Sequence, residues 1–213
     1  MILSNVKVYD LIESMIASGY AMRTDIGNRE LEENDRTRGL KLVKASYGNG
    51  SHAQWLTGVR VNFDVTFSNK AWVEAERYRF LEFVTSQSTM HRITRFDLKG
   101  QCNEYVDARI IDIVQEKIDE YNRLSKLPED NSPKIQQKRK EILNKLYLEI
   151  LYNIPAGFKI TARLTTNYRC LLNIYIQRYN HRLPEWREFC NELLLNLPMF
   201  KEIVDAYFEG GKR

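Results

Sequence analysis

Apolar and polar positions alternate most clearly over residues 58–67, where Val59, Val61, Phe63, Val65 and Phe67 interleave with Arg60, Asn62, Asp64 and Thr66. A period of two predicts a strand with one buried face and one polar face. On the polar face, Asn62 and Asp64 read as residues that meet water or pair with a neighbouring strand, rather than as ligand contacts. Helical spacing dominates elsewhere. Residues 6–19 place Val8, Leu11, Ile12, Met15 and Ile16 on one face, with Gly19 as a stop, and predict a helix. Residues 24–39 are charged and polar without a clean period, the pattern of a loop or a solvated helix. Residues 69–83 predict a helix capped by Ser68 or Asn69, with Trp72, Val73, Phe80 and Phe83 on its inner side.

Residues 104–124 predict a strongly amphipathic helix on which Ile110, Ile111, Ile113, Val114, Ile118 and Tyr121 recur. The stretch from Leu127 to Pro133 is a turn by composition. Further helices are expected at 134–152, 161–179, 185–196 and 199–208, punctuated by Pro155, Gly157, Pro184 and Pro198. The expected fold class is α+β: one domain over residues 1–213, with a small antiparallel sheet packed against helices and a long helical hairpin at roughly 104–152.

Composition changes this picture little. Apolar residues make up 43% of the 213, enough for a core. The 32 Lys and Arg against 28 acids leave a net charge of +4, which gives no argument for a nucleic-acid partner. Cys102, Cys170 and Cys190 are too widely and irregularly spaced for a disulfide framework or a zinc site, and read as buried reduced thiols of a cytoplasmic protein. The three histidines are scattered, so no metal site is expected. The N-terminus has no signal-peptide pattern, and no apolar run approaches the ~18 residues of a membrane span.

The candidate chemistry lies in the arginines. Arg77-Tyr78-Arg79 falls at the end of the expected 69–83 helix, ahead of a polar loop containing Ser86, Gln87, Ser88, His91 and Arg92. Two arginines aimed at one point suit a phosphate or pyrophosphate. A second group, Arg163, Arg169, Arg178, Arg182 and Arg187, follows in the C-terminal third. A fold that joins the two groups forms a pocket for one nucleotide or two. Phosphate-binding glycine loops, metalloprotease His/Glu pairs and nucleophile elbows are all absent. Cations, hydroxyls and aromatics remain, the inventory of a site that binds flat phosphorylated ligands and leaves bond-making to a cofactor.

The C-terminal third resembles the signature of flavin-dependent thymidylate synthases at Ile154-Pro155, Asn167-Tyr168-Arg169-Cys170-Leu171, Arg178, Asn180-His181 and Glu185-Trp186-Arg187. The N-terminal half is similar in outline: Ser51-His52 precedes the alternating strand, Arg77-Tyr78-Arg79 stands where the family has Arg-His-Arg, and Ser88 and Arg92 stand for its serine and following arginine. The resemblance covers roughly 45–95 and 150–208. Tyr78 replaces a histidine, Ser88 follows after eight residues rather than seven, and Val84-Thr85 occupies the place of the family's Asn-Glu. A rival alignment through His91-Arg92 and Asn103-Glu104 lacks the serine and arginine, Val106 and Ala108 standing there instead. The string from Ser51 to Trp55 copies a family C-terminal string at the wrong end of the chain and reads as chance.

The resemblance implies a homotetramer with active sites at subunit interfaces. It implies FAD with its phosphates near Arg77 and Arg79, helped by His52, Arg178 and His181. It implies dUMP or a related nucleotide held by Gln87, Ser88, Arg92, Arg169 and Arg187, with Ser88 and Arg169 in catalytic positions. Methylenetetrahydrofolate and NADPH complete the family's methylation, and no cysteine nucleophile is needed. Tyr78, Trp55 and Tyr168 are available as a wall for the flavin ring, although such aromatics more often belong to the core. The alternative is a nucleotide-binding protein that keeps the scaffold without the catalysis.

Overall fold

In the computed structural model, residues 2–28 and 30–212 are described. Arg29, within the polar 24–39 stretch, lies outside them. The strands β1 (Leu3–Tyr9), β2 (Arg60–Ser68), β3 (Glu82–Ser86) and β4 (Lys159–Asn167) form one antiparallel sheet in the order β1-β2-β4-β3. Ten helices accompany it among the described residues. The chain divides into two compact units, the first made of Met1–Thr66, Val73–Thr85 and Ala162–Arg213, the second of Phe67–Trp72 and Ser86–Thr161. No helix among the described residues is long and apolar enough to cross a membrane.

In the first unit, β2 runs where the alternation places it. Val61, Phe63 and Val65 are fully buried, and Phe63 packs on Phe189 with ring centroids 5.8 Å apart. Asp64, on the polar face, accepts from the Asn5 side chain and pairs with Arg163 at 3.0 Å. The Asn5 hydrogen bond first, and Arg163 with it, holds the Asp64 carboxyl below its usual range. Pairing across strands, rather than ligand contact, is therefore the role of Asp64.

Three sequence expectations are corrected. Residues 6–9 belong to β1, not to a helix: Leu3 lies opposite Val65 and Tyr9 opposite Arg60, with an irregularity between Ser4 and Lys7 where Asn5 adopts a φ of 50°. β-branched Val6 and Val8 fit a pleated surface, and the backbone of β2 supplies their partners. Asp10, with a φ of 58°, ends the strand, and only α1 (Leu11–Ala17) is helical.

The second correction concerns 69–83. Ser68 Oγ accepts from the Ala71 N–H, but α3 stops at Ala75 and the chain is extended again by Glu82. Trp72 is buried; Val73, Phe80 and Phe83 are exposed instead of facing inward. The helix ends because two tight turns follow, Tyr78 N–H to Ala75 C=O and Leu81 N–H to Tyr78 C=O, each 3.0 Å. Third, 161–167 is strand, and helix begins only with α8 (Tyr168–Arg178). Ala162, Leu164 and Thr166 are buried on one face, a period of two that the helical reading missed. Within the polar 24–39 stretch a helix does begin, α2 (Glu33–Ala45), with a reciprocal capping box between Glu32 and Asp35.

The remaining helices stand as expected: α9 (Pro184–Asn196) and α10 (Phe200–Gly210) in the first unit, and the hairpin α6 (Ala108–Ser125) with α7 (Pro133–Tyr152) in the second. Two short helices precede the hairpin, α4 (Thr89–Arg92) and α5 (Leu98–Gln101). Lys117 pairs with Glu149 at 2.5 Å and Tyr121 packs on Tyr147 at 5.2 Å. Moving toward the turn on α6 thus moves toward the turn on α7, so the two helices are antiparallel. Ile93, Leu98, Val114, Ile118, Ile150 and Phe158 form the core of this unit.

Phe63→Ala removes a fully buried ring and is expected to cost about 3–5 kcal/mol, read as a lowered urea midpoint. Burial pushes the Cys190 thiol from 9.0 up to about 12. A raised thiol means that the folded chain keeps a proton the unfolded chain has lost. This contribution to stability is therefore whole below 9.0 and lost as pH rises from there toward about 12. Between those limits the stability of Cys190→Ala should fall less steeply with pH than that of the parent, as measured by urea unfolding at stepped pH.

Candidate functional site

The first unit holds a cleft of about 1010 Å³ whose charged lining residues are Arg60, Arg77, Arg79 and Arg169, with no carboxylate among them. The cleft is built from four pieces of chain. Arg60 opens β2, Arg77 and Arg79 come from the turn after α3, Arg169 sits in the first turn of α8, and the segment around Gly48, Gly50 and Gln54 closes one side. None of the four guanidiniums has a carboxylate partner among the described residues. Four like charges facing one space repel, and an anionic ligand relieves that repulsion.

Arg169 is half-buried and held by acceptors that leave its charge uncompensated: Nη2 donates to the Gly50 carbonyl at 2.8 Å and Nη1 to the Gln54 side chain. Gly50 has a φ of 66°, a left-handed turn conformation suited to glycine. Asn167 caps α8, its side chain accepting from the Cys170 N–H at 2.9 Å. The positive end of this 11-residue helix thus lies at the cleft beside Arg169. Arg79 lies over the exposed ring of Phe80 at 5.4 Å, and Tyr207, packed on Tyr47 at 5.0 Å, adds a second aromatic wall. Burial raises the Cys170 thiol above its ordinary value, so the one cysteine lining the cleft is a poor nucleophile.

Tyr78 explains how Arg77 and Arg79 come to share the cleft. Its side chain is buried, its ring meets Trp186 edge-on at 6.0 Å, and its hydroxyl donates to Gln177 Oε1 at 3.0 Å while accepting from Arg178 Nε at 2.8 Å. Arg178 is itself paired with Glu74 at 2.6 Å, contacts His181 Nε2 at 2.6 Å and lies over the Trp186 ring at 5.0 Å. With Tyr78 drawn inward, its neighbours on either side are exposed. Burial pushes the Tyr78 phenol up, against the pull of Arg178, so it stays a neutral hydrogen-bonding group.

The other sequence candidates are distributed as follows. Arg178 and His181 belong to the network behind Tyr78. Arg187 donates to the carbonyls of His181 and Arg182 at 2.6 and 3.1 Å, tying the turn between α8 and α9. His52 lines a separate shallow hollow with Ser14, Ser18 and Trp55. Gln87, Ser88 and Arg92 belong to the second unit, where Gln87 pairs with Thr161 through both backbone and side chain and Ser88 precedes α4. Of the proposed aromatic wall, Trp55, Tyr78 and Tyr168 are all core residues. Sequence reasoning missed Arg60, Phe80 and Tyr207 as lining residues. Arg60 was visible as a cation on the polar face of the strand; the other two carried no signal.

Tyr78→Phe deletes the hydroxyl that joins Gln177 to Arg178 and leaves a half-buried guanidinium N–H without its acceptor. A loss of about 1–3 kcal/mol in unfolding free energy is expected, measured by urea titration.

No family profile matches the chain, and no curated relative matches it. Among solved structures, flavin-dependent thymidylate synthase ThyX from Helicobacter pylori, complexed with FAD and dUMP, superposes with a TM-score of 0.58 at 15% identity, over 97% of this chain and 98% of that one. A second structure of the same enzyme with FAD and dUMP gives 0.57 at 15% identity, over 97% and 99%. The chain therefore has the fold of the flavin-dependent thymidylate synthases along nearly its whole length.

Proposed function

We propose that this chain is a flavin-dependent enzyme of the thymidylate synthase type, methylating dUMP or a related pyrimidine nucleotide with FAD, methylenetetrahydrofolate and NADPH. The observation that carries the reading is the carboxylate-free cleft lined by Arg60, Arg77, Arg79 and Arg169. FAD brings a pyrophosphate and dUMP a phosphomonoester, and each buried arginine–phosphate contact contributes about 1.5–3 kcal/mol. The four guanidiniums match the charge of the two ligands together. The solved structures that share the fold contain this ligand pair.

The side chains fit these roles. Arg77 and Arg79, turned outward by the burial of Tyr78, meet the pyrophosphate. Arg169, at the start of α8, meets the nucleotide phosphate with the help of the helix dipole. Phe80 and Tyr207 offer apolar faces to a flat ring. Bound flavin supplies hydride chemistry, which is why the lining needs no protein nucleophile. Arg178 and His181 contribute by fixing Tyr78, and Arg187 by fixing the turn after α8. Gln87, Ser88 and Arg92 complete the substrate contacts and His52 the cofactor contacts from a neighbouring subunit, in a homotetramer whose sites are shared between subunits.

Purified protein should carry or take up flavin, with absorbance near about 450 nm. Arg77→Ala/Arg79→Ala should weaken FAD binding at least about tenfold while leaving the far-UV circular dichroism unchanged. Unaltered FAD affinity in that variant would sink the assignment of the cleft. Expression should also rescue a thymidine auxotroph. Soluble protein that holds FAD yet gives no rescue would leave a nucleotide-binding protein in place of the enzyme.

A further inference from the structure

We propose that the second unit carries an anion site of its own, for the phosphate of a small aromatic phosphomonoester, in the groove between the segment Met90–Arg95 and the hairpin α6–α7. The groove has a volume of about 650 Å³ and shares no residue with the four-arginine cleft. His91, Arg95 and Lys140 line it, and no carboxylate does. Among the described residues, none of these three has an ion pair, and none of their side chains a hydrogen bond, to an acid.

The groove has fixed walls. The Tyr147 hydroxyl donates to the Met90 carbonyl at 2.9 Å, and the Asn122 side-chain amide donates to the Thr94 carbonyl at 3.1 Å. These bonds fasten the short α4 and the turn after it onto α7 and α6. Ile93, fully buried in the core of this unit, anchors the same segment from below. Arg95, from the turn after α4, and Lys140, from α7, line the groove from different elements, and the exposed Asn144 lines it as well.

Chemistry narrows the ligand. Two cations and an imidazole around one groove favour a dianion over a carboxylate, and amide donors add hydrogen bonds that a phosphate's three oxygens accept. Tyr121 and Tyr147, at 5.2 Å, supply an aromatic surface beside the cations. Burial pushes the Tyr147 phenol up, with Tyr121 adding to it, while the guanidiniums of Arg92 and Arg95 pull it down. Positive charge thus stands near Tyr147, which lines the groove together with Arg95.

Pyridoxal 5′-phosphate is the probe, because its aldehyde reports on a lysine beside a phosphate-binding group. The full-length protein is treated with it, reduced with borohydride and mapped by mass spectrometry. Lys140 should be modified about tenfold faster than Lys138 and Lys145 on the same helix. Excess inorganic phosphate should remove that preference, pyridoxal without its phosphate should not show it, and Arg95→Ala, a change at an exposed position, should abolish it. Modification of Lys140 at the rate of its neighbours, or a preference indifferent to phosphate, would overturn the proposal. The four-arginine cleft contains no lysine, so the outcome does not depend on the function proposed for it.

Discussion

Repulsion among Arg60, Arg77, Arg79 and Arg169 is the constraint around which the first unit is arranged. A folded chain ordinarily places a carboxylate beside an arginine, as this one does for Arg36 with Glu202, Arg163 with Asp64 and Arg178 with Glu74. The four arginines of the cleft have no such partner among the described residues. Rigid elements hold them together against their mutual repulsion: the start of β2, the cap of α8 and the buried Tyr78. Held in place by the scaffold and left without counter-charge, they give the cleft an uncompensated positive field.

Tyr78 shows how packing and charge serve one another. Two of the site's arginines flank a residue that belongs to the core, and the core contact sets their direction. The Arg178–Glu74 pair is only partly exposed, and its value here lies in geometry rather than in net stabilisation. Desolvation offsets much of the Coulombic attraction of such a pair, but its hydrogen bonds fix the Tyr78 hydroxyl. A cationic residue close to a ligand site can thus act as a strut and not as a ligand contact.

Elements with an undisturbed period were legible in the chain. β2, the α6–α7 hairpin, α9 and α10 all emerged from spacing because one partner face defines each of them. Errors arose where a short segment satisfied two periods at once. Val8 with Leu11, Ile12, Met15 and Ile16 makes a helical face, yet the left-handed Asp10 divides the run between a strand and a helix. Residues 161–167 lost their alternation to the helix that follows directly. The stretch 69–83 concealed a double turn, because the burial of Tyr78 and Leu81 depends on elements far along the chain.

The sequence by itself determined the chemical inventory: two groups of arginines far apart, no protein nucleophile in a catalytic motif, and a core large enough for an α+β domain. It also drew attention to Arg77 and Arg79, two arginines aimed at one point, and to a later group of five that includes Arg169. Tertiary structure decided which arginines share a space and which are already paired. Arg60 joined the cleft and Arg178 was drawn into a network with Glu74. Pairing depends on distances between residues about a hundred positions apart, and those distances follow from how strands and helices pack, which no local spacing encodes.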